Sequence, residues 1–246
     1  MKYIKKALSA ALVALFWLIL WYVCALAVNN PLIFPTPTEA VKRLCALMIT
    51  KDFWLFTALS LLRIAIGILL AIPTSVIAAA VCSRCSVAER LFSPAVLLMK
   101  STPVVSFILI AIFVFDRETI PSAITFIMIF PVLYGNVREG IARTPRELLE
   151  MSALFRVPFW LKLKNVYYPA VAPYFYSALT TSVGLAIKAG IAAEVVAYIP
   201  DSIGKKLSDA KSYMEPADLL AWTAVIIILS LMLEKGISLL QERRRA

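Results

Sequence analysis

Arg63, Lys100, Lys188 and Glu194 interrupt long apolar runs, and they are the side chains best placed to do chemistry in this chain. Charge in such surroundings is costly, so each is expected to face a protein interior or a watery path. Lys188 and Glu194 are six residues apart and fall on different faces of a helix. Lining a translocation path is one use for all four; snorkelling or structural ion pairing is the other. Other chemistry is excluded. The chain has 0 histidines, which removes a Ser–His–Asp triad, His-ligated metal and an imidazole proton relay. Its one Gly-Lys pair, Gly204-Lys205, is followed by Lys206 and lacks the leading glycine of a phosphate-binding loop. Asp218, at the start of an apolar run, is the one aspartate inside any such run, so there is no aspartyl dyad. Cys82 and Cys85 form a lone C-x-x-C without two further ligands and read as ordinary small residues. The chain is not expected to be an enzyme or to carry a cofactor or metal.

The elements that position these residues follow from composition. Of 246 residues 61% are hydrophobic, against about 45–50% in soluble domains, and mean hydropathy is +0.86. Apolar runs at 7–28, 53–81, 91–115, 120–137, 174–199 and 217–240 each approach or exceed the roughly 18–20 residues of a spanning helix. The expectation is an all-α membrane protein with about six transmembrane helices in a single transmembrane domain over 1–246. A signal h-region covers about 7–15 residues, so the longer first run reads as an uncleaved span. Basic residues number 15 on the segments taken as inside and 7 on those outside. That bias puts both termini in the cytoplasm and explains the net charge of +10 without nucleic acid. Thr36-Pro37-Thr38-Glu39 predicts a capped outer helix, and Gly204 a turn in the second outer loop. Pro103 predicts a kink in the third span.

The inner loop, 138–169, is the long polar segment. Thr144-Pro145-Arg146-Glu147 predicts a helix start of the same kind, with a Thr cap, Pro at the first position and Glu reaching back. Leu148, Met151 and Phe155 recur at helical spacing, and Pro158 ends the pattern. A helix over 145–157 is too short to span and suits docking to a partner.

This loop resembles the cytoplasmic signature of permease subunits of bacterial ABC importers: Glu-Ala-Ala, three residues, Gly, nine residues, Ile, one residue, Leu-Pro. Glu150-Met151-Ser152 stands at its start, Arg156 at the glycine, Val166 at the isoleucine and Tyr168-Pro169 at the end. Phe34-Pro35-Thr36-Pro37, Leu61-Leu62-Arg63 with Gly67, Pro103, and the run from Lys188 to Val196 look like the nitrate/sulfonate/taurine branch. The resemblance implies a type I importer-like fold and a bacterial inner-membrane location. It implies a permease pair, an extracytoplasmic solute-binding protein and separate ABC ATPase subunits that carry ATP and Mg. It also implies coupling to the ATPase through Glu147, Leu148, Glu150, Met151, Ser152, Phe155, Arg156 and Pro169. Nitrate, sulfonates, taurine and related small solutes are the branch's cargo. A membrane scaffold, or a transporter or channel independent of ATP, remains the alternative. Arg at the glycine position should prolong the docking helix through Arg156.

Overall fold

The computed structural model describes the backbone of residues 2–30 and 32–245 and the side chains of 12–30 and 32–239. The basic side chains at 2, 5, 6 and 243–245, which contribute to the charge bias, lie outside the described residues. Eleven α-helices are described: α1 (Lys2–Val28), α2 (Pro37–Met48), α3 (Lys51–Arg84), α4 (Ser86–Ser101), α5 (Val104–Val114), α6 (Ile120–Ala142), α7 (Arg146–Leu154), α8 (Phe159–Lys162), α9 (Tyr168–Ala197), α10 (Ile203–Ser212) and α11 (Pro216–Arg245). A wider π-type turn, Leu163–Tyr167, joins α8 to α9.

Four stretches are long and apolar enough to cross a membrane: Lys51–Arg84, Arg117–Ala142, Phe159–Ala197 and Pro216–Leu239. The first run contributes an apolar helix of shorter described length, Leu12–Val28. The third run, expected as a span over 91–115, is long and apolar enough to cross only when its two parts are taken together, as a broken span or a re-entrant loop. It is two helices, α4 and α5, bent by 109°. Thr102 is extended because a residue before proline avoids the helical region, and Pro103 then caps α5. The kink expected at Pro103 is a full break.

The core is a trio, α3, α6 and α9, with α11 alongside. Ile64, Ile129, Leu133, Ile187 and Ile191 are buried where the trio meets, and Phe53 stacks on Trp222 of α11 with ring centroids 5.1 Å apart. The opposite face of α9 gives Ala189 and Ala193 to α5, whose Ile108 and Ala111 pack there. In lipid, apolar surface alone does not drive helices together; close packing of small residues does. Gly190 is such a residue: a Cβ there would stand 2.5 Å from Ile64 Cγ1 and 2.9 Å from Thr125 Oγ1.

The helix predicted after Thr36 forms as α2, with its start as expected. Thr36 accepts from the Glu39 amide, and the Glu39 carboxylate accepts from the Thr36 amide, so the capping box is complete. Arg43 on α2 makes a two-pronged ion pair with Asp218 on α11, tying α2 to the bundle. Gly204 corrects a prediction: it lies inside α10, not in a turn. Tyr198 and Asp201 make the turn instead, with φ of 53° and 48°.

Gly190→Val should force Ile64 or Thr125 aside and cost about 1–3 kcal/mol, the usual range for overpacking. Thermal unfolding of the detergent-solubilised protein measures this; an unchanged midpoint would show that α3 and α9 are not in contact at that level.

Candidate functional site

Glu194 is 0% exposed and sits where α9 meets α3 and α10. Its Oε2 accepts from Ser60 Oγ at 2.8 Å and from the Gly204 amide at 3.1 Å. Its Oε1 lies 3.6 Å from Arg63 Nη1. Ser60 in turn accepts from the Ile203 amide at 2.9 Å. Two N-terminal amides of α10, which have no partners within their own helix, are thus satisfied by side chains from α3 and α9. Gly204 permits the approach: a Cβ there would fall 2.3 Å from Glu194 Cβ.

Arg63, 9% exposed, spreads its guanidinium across three elements. Nε donates to Glu118 Oε2 at 2.9 Å, in the turn that joins α5 to α6, and Nη1 reaches the Asp201 carbonyl at 3.4 Å. The planar fork of arginine suits this divided task, which a lysine ammonium would not perform. Arg63 and Glu194, predicted separately, meet in one network; Lys100 and Lys188 do not join it. Both lysines are exposed on the chain's surface. Sequence reasoning missed Glu118, Ser60 and the Gly204 amide. Glu118 carried a weak signal as an acid in a tight turn between two apolar runs.

The inner loop is narrower than 138–169, because α6 continues to Ala142 and helical structure resumes at Phe159. Its helix is α7, nine residues instead of the 145–157 expected. Thr144 does not cap it. The Thr144 hydroxyl donates to the Gly140 carbonyl at 3.3 Å, and Pro145 takes the cap position without a side-chain bond. The continuation through Arg156 is also overturned. Arg156 has φ 49°, and its amide donates to the Ala153 carbonyl while the Val157 amide donates to the Ser152 carbonyl. Those two bonds are the Schellman closure of a helix, which places its left-handed residue one position past the cap. Pro158 therefore starts α8 and does not end α7.

Of the predicted loop residues, Glu147, Leu148, Glu150, Met151, Phe155 and Arg156 are exposed, whereas Ser152 is buried and donates to the Leu149 carbonyl. Pro169 stands in the first turn of α9, beyond the loop. Leu154 at 80% and Phe155 at 71% exposure extend an apolar stripe that Leu148 and Met151 begin.

Residues 66–234 match the family described as binding-protein-dependent transport system inner membrane component. The chain belongs to that family. Membership makes this inner membrane component a multi-pass membrane protein of the transport class, not an enzyme. It is 28% identical to the nitrate import permease protein of Synechococcus elongatus over 60% of this chain, and that match spans 53% of the relative's length. Against the taurine transport system permease protein of Escherichia coli it is 22% identical over 97% of this chain and 89% of the relative. The fold resembles a crystal structure of an amino acid ABC transporter with histidines (14% identical, TM-score 0.64, 76% of this chain and 92% of that chain).

Removing one partner from a buried charge pair leaves the other unanswered and costs about 3–5 kcal/mol. Glu194→Ala should therefore lower the thermal midpoint sharply and loosen α10, while Glu194→Gln, which keeps an acceptor for Ser60 and Gly204, should lose less. Equal losses would remove the hydrogen-bonding part of the argument. Arg156→Gly should relieve the left-handed strain of an L-residue, stabilising the loop by about 1 kcal/mol and slowing amide exchange at Val157 several-fold. Faster exchange there would contradict the turn.

Proposed function

We propose that the chain is the permease subunit of an ABC importer, coupled through α7 to a separate ATPase. The observation that carries this reading is the state of α7: a short helix with an exposed apolar stripe, flanked by the exposed acids Glu147 and Glu150. An exposed apolar patch rimmed by charge is what a protein-binding surface looks like. The stripe supplies grip, the acids can pair with basic residues on the ATPase, and the Schellman turn at Arg156 holds the far end of the helix as a defined lever. Closure of the ATPase pair on ATP would push α7 and, through Gly140–Thr144, the inner end of α6.

Two copies would make the channel, served by an extracytoplasmic binding protein. The inner loop then faces the cytoplasm, as do both termini, in keeping with the basic bias of the inner segments. The cargo is a small solute of the kind carried by its relatives, such as nitrate, taurine or another sulfonate. Lys100 and Lys188 remain the candidates for contact with that cargo, since both are open to the surface. Arg63 and Glu194, enclosed in their own network, hold the outer ends of α3, α9 and α10 together. ATP and Mg belong to the partner, and this chain supplies no group for hydrolysis.

Glu150→Arg should lower copurification of the ATPase and stop uptake while leaving membrane insertion unchanged. Uptake at the wild-type rate in that variant would take the docking role away from Glu150.

A further inference from the structure

Arg63 divides one guanidinium between two acids, and the division is uneven. Nε and Nη2 both donate to Glu118 Oε2 in the turn that joins α5 to α6, although the Glu118 side chain is 58% exposed and open to water. Glu194 is enclosed and receives less. Its Oε1 accepts no hydrogen bond, and Arg63 Nη1 stands 3.6 Å away, beyond bonding reach. Among the described residues five buried side-chain polar atoms lack a hydrogen bond, and Glu194 Oε1 is the one that belongs to a carboxylate. An ion pair to an exposed acid contributes little, whereas a buried charged acceptor left without a donor is costly. The donors of Arg63 are therefore placed where they are needed least.

Two backbone carbonyls hold the guanidinium in its present place. Nη1 reaches the Asp201 carbonyl at 3.4 Å and Nη2 the Pro200 carbonyl at 3.5 Å, both long bonds. They lie in the link from α9 to α10, where Tyr198 and Asp201 have the positive φ that L-residues seldom adopt. Shortening the 3.6 Å gap to Glu194 to the roughly 2.7–2.9 Å of a charge-assisted bond needs a shift of about 1 Å or less. The body of α6 need not follow. Its Ser122 hydroxyl is bonded at 2.7 Å to the Arg63 carbonyl, a main-chain atom that rotation of the guanidinium leaves in place.

We propose that Arg63 is a two-position arm. In one position it holds Glu118 and the α5–α6 turn; in the other it completes the bonding of Glu194 and lets that turn go. The two acids compete for one guanidinium, so tightening the start of α10 loosens the turn, and the reverse. A bistable contact of this kind converts a small shift into a discrete change of state. Its use in transport rests on the importer reading, in which the arm sets whether the end of α5 is held or free during the cycle.

The test is hydrogen–deuterium exchange, read by peptide mass spectrometry on the full chain in phosphatidylcholine nanodiscs. Glu118→Gln removes the competing charge at an exposed position. Exchange over 116–122 should rise, and exchange over 202–206, which holds the Gly204 amide bonded to Glu194, should fall several-fold as Arg63 crosses. Glu194→Gln should do the opposite, slowing 116–122 and speeding 202–206. Faster exchange in both segments of Glu118→Gln would make Arg63 a fixed brace and overturn the proposal, as would no change over 202–206. The chain alone reports these outcomes, so an ATPase that fails to copurify counts against the coupling reading and not against the arm.

Discussion

Glu194 has no route to water, and its surroundings are arranged to answer its charge. In a bilayer a buried carboxylate must find its donors inside the protein. Here they come from two helices, a hydroxyl from α3 and an amide from the start of α10, while the Arg63 guanidinium of α3 stands 3.6 Å away as the counter-charge. Meeting that demand fixes how far apart α3 and α9 can sit and presses α10 against the bundle, which in turn requires glycine at 204. The arginine that serves Glu194 also serves Glu118, so the turn between α5 and α6 is tied to the same point. Replacing the network with apolar groups could preserve packing, but the start of α10 would then lose partners for two amides.

The fold and the site were legible in the sequence to different depths. Hydropathy located the apolar runs because lipid imposes length and composition on any spanning helix. It could not show the break in the third run, since α4 and α5 together read as one run of sufficient length; only the backbone restriction before Pro103 hinted at it. The four intramembrane charges were visible as anomalies. Their division into an enclosed pair and two surface lysines depends on helix rotation and on donors distant in sequence, such as Ser60 and the amide of residue 204.

Two Thr-Pro-x-Glu segments teach the limit of local motifs. At Thr36 the chain arrives from a loop, the hydroxyl is shared with Thr38 downstream, and the reciprocal cap forms. At Thr144 the chain arrives from the end of α6, and the hydroxyl bonds back to the Gly140 carbonyl, extending the preceding helix instead of starting the next. The competing acceptor one turn upstream decides the outcome. Arg156 makes the complementary point. Helix propensity favoured continuation, but the last carbonyls of α7 needed donors, and the left-handed turn supplies them at the position where the family signature has glycine.

The break at Thr102-Pro103 has a mechanical meaning. α4 is fastened by Glu89 to Arg138 near the end of α6, whereas α5 is packed against the first turns of α6 and the last turns of α9. The bend leaves the two segments as separate cranks on a common shaft, so a displacement reaching α4 would turn it without dragging α5 in step. A continuous rod across the same thickness would transmit both motions rigidly, and opening one side would then open the other.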